Sequence, residues 1–138
     1  MQFGGHVELH ETPWQTIIHE LKEETGYDIS QLRLLQPANT LPHLTKSVVH
    51  PYPLALVTYK YGDIDHFHTD TAFGFVTDQT PLNTIEDGES KDIKLLTRKE
   101  VLNSSDKLVP KNVKEMVLHI MDQILKDWEQ VDASSFAN

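Results

Sequence analysis

Glu20, Glu23 and Glu24 stand at i, i+3 and i+4 in the run His19-Glu20-Leu21-Lys22-Glu23-Glu24. On a helix that spacing places three carboxylates on one face. Each like-charged pair costs an isolated helix about 0.2–0.5 kcal/mol. A bound divalent cation would reverse that sign. Magnesium takes oxygen ligands in octahedral geometry and keeps waters that hydrogen-bond phosphate oxygens. Ions held by such a face would polarise a bound anionic oxygen group and activate a water. Taken alone, an E-L-K-E-E run is more often a solvated helix face, so the residues that position it decide between the two.

Those residues read as one capped helix. Thr12 is a candidate N-cap, with Pro13 at the favoured first position. Trp14, Ile17, Ile18 and Leu21 recur at helical spacing as an apolar stripe. Gly26 ends the helix as the glycine after its last turn. At about 100° per residue the acids lie roughly a third of a turn from the stripe. The stripe then buries while the acids face a cleft. Gly4 and Gly5 give the preceding loop its backbone freedom.

Further along, Leu32, Leu34 and Leu35 predict a short strand. Residues 37–53 hold four prolines (Pro37, Pro42, Pro51, Pro53) and read as a long loop. Residues 54–61 are rich in β-branched and aromatic side chains and read as a strand. Gly62-Asp63 makes a turn, and residues 66–77 form the hairpin partner, with Phe67, Thr69, Thr71, Phe73 and Phe75 on one face. Residues 79–89 are polar and loop-like. Ile93, Leu95 and Leu96 predict another short strand. Thr97 caps a short helix containing Glu100 and Leu102. Pro110 opens a last helix whose apolar stripe runs from Val113 to Trp128 and is expected to pack on a sheet. Trp14 and Trp128 are expected in the core. The reading is one domain over residues 1–130, with a disordered tail over 131–138 that frays from Val131.

A chain of 138 residues fits one domain. There is no cysteine, which excludes disulfides, thiolate metal sites and cysteine nucleophiles. The net charge of −9 argues against nucleic acid as a partner, because such a surface does not attract a phosphate backbone. A small anionic substrate still fits if cations neutralise the site first. No apolar run is long enough to span a membrane. With no basic segment and apolar stretch at the N-terminus, the expected location is cytoplasmic.

The spacing from Gly5 to Tyr27, GHVELHETPWQTIIHELKEETGY, resembles the Nudix box. That box is the metal-binding loop–helix–loop of hydrolases that cut nucleoside diphosphates linked to another group. The resemblance implies an α/β fold, an α/β/α sandwich with a mixed sheet. It implies Mg2+ as cofactor, with Mn2+ as a substitute, and a small-molecule diphosphate as substrate. Glu20, Glu23 and Glu24 would be the metal ligands, and Glu11 a supporting residue near them. Gly5 and Gly26 would allow the loop turns. Glu89 matches a weaker family habit, an extra glutamate acting as ligand or general base; the plainer reading is an ordinary loop acid. His66 and His68 precede Asp70 in a His-x-His-x-Asp stretch that related sequences often carry. Both lie on one strand face. They either contact substrate phosphate or base, or are surface residues. No third ligand is evident for a transition metal at these two.

Three departures qualify the resemblance. His19 stands where the family has arginine, offering fewer donors and a charge lost near neutral pH. Glu20 is therefore expected to be less firmly held, and His19→Arg to raise kcat. Phe3 replaces the usual proline and loosens the loop. The strands that normally precede the box are missing, so the fold is expected to be N-terminally truncated and completed by a second copy as a homodimer. The leading function is a magnesium-dependent diphosphate hydrolase. The alternative is a non-catalytic Nudix-like binding or regulatory module, or a decayed fragment. An unrelated α+β domain with an accidental match is a third.

Overall fold

A computed structural model describes residues 4–41, 43–60, 62 and 65–136. Helix α1 spans Pro13–Thr25. Its start is the expected one, and the cap is reciprocal. Thr12 Oγ1 accepts from Gln15 N at 3.3 Å, and Gln15 Oε1 accepts from Thr12 N at 2.9 Å. This capping box satisfies two donors the first helical turn would leave open. At the far end Gly26 takes φ +73° and donates from its N–H to Lys22 O at 2.9 Å. That left-handed cap is where glycine costs least.

After a 3₁₀ turn at Ile29–Gln31 comes β1, Arg33–Gln36, which is almost wholly buried. Four further strands follow: β2 is Ala55–Lys60, β3 is Phe67–Ala72, β4 is Phe75–Val76 and β5 is Glu129–Asp132. They form two small antiparallel sheets, one in the order β4-β1-β5 and one pairing β2 with β3. Helix α2 is Arg98–Asn103, and α3 is Lys111–His119. The mixed helix and strand content is that of an α/β fold. Among the described residues every strand pairing is antiparallel.

The core gathers around Trp14, which joins Leu21, Leu32, Leu34 and Ala133, with Ile17, Ile18, Tyr27, Phe73, Phe75 and Phe136 packed against them. The Trp14 ring meets Phe73 edge-on at 5.1 Å and lies nearly parallel to Phe75 at 6.0 Å. Its indole N–H donates to Phe136 O at 3.1 Å. A buried indole needs such an acceptor.

This arrangement corrects the expected tail. Residues 131–136 do not fray: Glu129–Asp132 pairs along β1, Ala133 is fully buried, and Ala133–Phe136 forms a 3₁₀ turn over Trp14. The terminus is tied down because it completes the sheet, a pairing invisible in its local composition. Ala137 and Asn138 lie outside the described residues, as do Phe3, Pro42, Tyr61 and Asp63.

Three other expectations change. The run 66–77 is not one hairpin strand. It leaves β2 at Ala72 and joins β1 through Phe75, with Gly74 O accepting from Leu35 N at 2.8 Å between them. A Cβ on Gly74 would sit 3.0 Å from both Leu35 Cδ1 and Leu54 Cδ1, so a larger residue at the switch would press on both side chains. Ile93, Leu95 and Leu96 form no strand, and Leu95 is 90% exposed. Among the described residues they pair with none of the sheet edges. The last helix is interrupted by a π-helical turn at Ile120–Ile124 and ends at Asp127, leaving Trp128 partly exposed in extended backbone. It leans on α2, where Arg98 grips Asp122 through Nε at 2.6 Å and Nη2 at 2.5 Å.

The short helix after Thr97 is as expected. Thr97 Oγ1 accepts from Glu100 N at 3.3 Å, and Glu100 Oε2 accepts from Thr97 N at 2.8 Å. The proline-rich loop is anchored by Gln36, whose side-chain amide pairs with Tyr52 like a strand residue: Oε1 accepts from Tyr52 N at 2.8 Å, and Nε2 donates to Tyr52 O at 2.9 Å.

Candidate active site

The acid face of α1 is built by the same helical pitch that buries Leu21 and Thr25. Leu21 is 2% exposed, while Glu20 and Glu24 beside it are half-buried and Glu23 is exposed. The loop before the helix closes over Glu20. A Cβ on Gly5 would overlap Glu20 Oε1, lie 2.5 Å from its Cδ and 3.1 Å from Oε2. Only a residue without a side chain lets that carboxylate come so close.

Burial against this loop holds the Glu20 carboxyl above its ordinary value. A hydrogen bond with Glu24 raises it further, as do the charges of Glu24, Glu23 and Glu89. Burial disfavours the charged form, and neighbouring carboxylates disfavour it again. The four glutamates singled out in the sequence are thus brought to one electrostatic neighbourhood. Glu89 arrives on the polar loop 79–89, which hydrogen-bonds to the end of α1. Asn83 N donates to Gly26 O at 2.9 Å, and Glu86 N donates to Glu23 O at 3.0 Å.

His19 does not engage Glu20. Its Nδ1 lies 2.7 Å from Glu11 Oε1, and Glu11 Oε2 accepts from Thr16 Oγ1 at 3.1 Å. His19 and Thr16 thus hold Glu11 from two sides.

His66 and His68 lie together, with ring centroids 4.9 Å apart. His68 also stacks on Tyr59 at 5.6 Å and meets His6 edge-on at 5.9 Å. His6 adjoins Gly5, so this imidazole wall begins one residue from the Glu20 contact. Sequence reasoning missed His6; its place directly after the loop glycine was the available signal.

The donor set suits a hard divalent cation: carboxylates stand on one helix face, and burial with their charges holds the Glu20 carboxyl up. Among the described residues, no three His, Asp or Glu side chains converge as a ready-made coordination shell.

A family model for the NUDIX domain matches residues 3–118. The chain belongs to the Nudix family. The matched stretch runs from the box loop through β1, β2, β3 and β4 into α3. Nudix proteins are in general hydrolases of small diphosphate compounds and typically use divalent metal ions. No curated protein and no solved structure matches the chain. Among the described residues, no helix is long and apolar enough to cross a membrane. For this Nudix domain the box glycine at position 26 has a second use beyond its cap. A Cβ there would collide with the Asn83 backbone carbonyl, so Gly26 also admits the Glu89 loop.

Proposed function

We propose that the chain is a magnesium-dependent hydrolase of a nucleoside diphosphate derivative or another organic diphosphate, with Mn2+ able to substitute. One observation carries this reading: Glu20 is set so closely against Gly5 that no side chain fits between them, and its carboxyl is held up by burial and by the neighbouring acids Glu24, Glu23 and Glu89. Such a cluster is costly unless a cation neutralises it.

Glu20, Glu23 and Glu24 supply the oxygens that hold the ions. When bound, such ions polarise the diphosphate and lower the pKa of a water. The proton of the attacking water passes to Glu89 or to one of the helix acids. His66 and His68 face the substrate and donate to phosphate oxygens or pack on the base, with Tyr59 behind His68. Glu11, braced by Thr16 and His19, limits the movement of the box loop.

The same reading includes a homodimer. The β2–β3 hairpin exposes Leu56 at 66%, Phe67 at 63% and Val57 at 49%, and an isolated two-stranded sheet is only marginally stable. A second copy would cover these side chains; a single monomeric species by light scattering at micromolar concentration would count against it. A cytoplasmic setting belongs to the reading as well, in keeping with a chain free of cysteine.

The test is phosphate release from a panel of nucleoside diphosphate compounds with magnesium, beside Glu23→Gln. Release by the wild type that is lost in the variant supports the hydrolase. Silence across the panel favours a non-catalytic Nudix module.

A further inference from the structure

The loop carrying Glu89 is fastened to the end of α1 at successive points, and the first and most buried fastening is Gln31. This side chain is 6% exposed, and both its polar atoms are fully used. Oε1 accepts from Asp28 N at 3.0 Å and from Leu82 N at 3.1 Å. Nε2 donates to Thr80 O at 2.7 Å and lies 3.4 Å from Gln79 Oε1. Gln31 O accepts from Thr77 Oγ1 at 2.9 Å, and the Tyr27 hydroxyl donates to Gln79 O at 2.9 Å. One amide therefore joins the turn after α1 to the start of the loop.

Beyond that point the loop keeps the helix for its partner. Asn83 donates to Gly26 O through N at 2.9 Å and Nδ2 at 3.2 Å. Glu86 N donates to Glu23 O at 3.0 Å, and Glu89 N donates to Glu86 O at 3.2 Å. The last two bonds carry the chain from the backbone of Glu23 to Glu89 within one turn. The register of Glu89 against the helix acids is set by these bonds in series, and Gln31 anchors the series.

We propose that Gln31 is a positioning residue that holds the 79–89 loop in register on α1 and so delivers Glu89 to Glu20, Glu23 and Glu24. Its catalytic consequence rests on the hydrolase reading above; its structural part does not. A group that merely stabilises the fold would lower the melting temperature without acting through Glu89. Gln31 acts through Glu89, so the two substitutions are not independent.

The experiment has two arms. In the first, Gln31→Leu, Glu89→Gln and the double variant are compared with magnesium present. Misplacing a catalytic group by about 1 Å costs about 10²-fold. Gln31→Leu is expected to lose kcat on that scale with KM little changed, and the double variant to be no slower than Glu89→Gln. Losses that multiply would overturn the proposal. In the second arm, hydrogen exchange is followed in the metal-free protein. The Asn83 and Glu86 amides are expected to lose protection in Gln31→Leu while those of Leu21–Thr25 keep theirs. Unchanged protection at Asn83 and Glu86 would overturn it too. If Gln31→Leu does not fold, Gln31→Ala takes its place in both arms. If the wild type hydrolyses nothing, the hydrolase reading is lost, and the exchange arm alone decides whether Gln31 holds the loop.

Discussion

Gly5→Ala should separate the site from the fold. The new methyl would overlap Glu20 Oε1 and lie 2.5 Å from its Cδ, yet these atoms are the far end of a flexible side chain. The carboxylate can swing away at little cost. Gly5 is not among the residues at positive φ, so alanine meets no backbone strain there. Replacing glycine at a compatible position stabilises by about 0.4–1 kcal/mol, through the unfolded chain. At about 2–4 °C per kcal/mol for a domain near this size, the melting temperature should hold or rise slightly. Activity should behave oppositely. A ligand displaced by about 1 Å costs about 10²-fold, which is about 2.7 kcal/mol of transition-state stabilisation. The assay pairs thermal melting with kcat/KM for magnesium-dependent phosphate release on whichever diphosphate the wild type turns over. Wild-type turnover in Gly5→Ala would refute the claim that Glu20 must sit against the loop. A clear fall in melting temperature would refute the claim that the acid yields cheaply.

Gly26→Ala should do the reverse and damage both. A non-glycine residue in the left-handed region costs about 1–2 kcal/mol, and here the methyl would also strike the Asn83 backbone; a melt within a degree of wild type would contradict this. For pH, the folded-state value of Glu20 is raised by burial, Glu24, Glu23 and Glu89. Its stabilising effect is therefore full below the unfolded value and lost as pH rises through the folded one. Metal-free protein should lose stability on that rise, and Glu20→Gln should flatten the slope in a melting series. Asp122 has the opposite sign. The Arg98 hydrogen bonds lower it, so its contribution is present above the unfolded value and is lost as pH falls through the folded one. Asp122→Asn should weaken that acid limb. Phe136→Ala removes a half-buried ring packed on Trp14 and should destabilise by less than the roughly 3–5 kcal/mol of a fully buried aromatic; a denaturant midpoint equal to wild type would return residues 131–136 to a frayed tail.

What was legible in the sequence was local. Thr12, Pro13 and Gly26 marked the ends of α1 because caps are satisfied within a few residues. Thr97 and Glu100 marked α2 for the same reason. The acid face followed from helical pitch alone. What was hidden depends on partners far along the chain. β5 exists because Leu34 meets Val131, and nothing in Glu129–Asp132 itself demands a strand. The run 66–77 looked continuous because its alternation is continuous; only the competing partners, β2 and β1, break it at Gly74. Ile93–Leu96 shows the converse, an apolar pattern that joins no strand among the described residues. The site divides the same way. Glu20, Glu23 and Glu24 were readable from spacing, and Glu89 only as one acid among several in a polar loop. His6 and Gln31 carried no motif that names their use.

Helix α1 serves the core and the site with one set of turns, and this ties the two energetically. Leu21 and Thr25 anchor the helix on one side, and Thr25 Oγ1 bonds back to Leu21 O within it. Glu20 and Glu24 are adjacent in sequence to those anchors, so their backbone positions are fixed by the stripe even where a carboxylate end can swing. The mutual repulsion of the acids is borne by the same burial that fixes Trp14 and Leu21. Whatever neutralises the acids should therefore stiffen the whole helix and, through the Gly26 and Glu23 carbonyls, the loop bearing Glu89. A divalent cation that binds only the folded arrangement raises stability in proportion to the logarithm of its concentration over Kd. Protection of the Asn83 and Glu86 amides should rise with it, although neither residue contributes a side chain to the acid face.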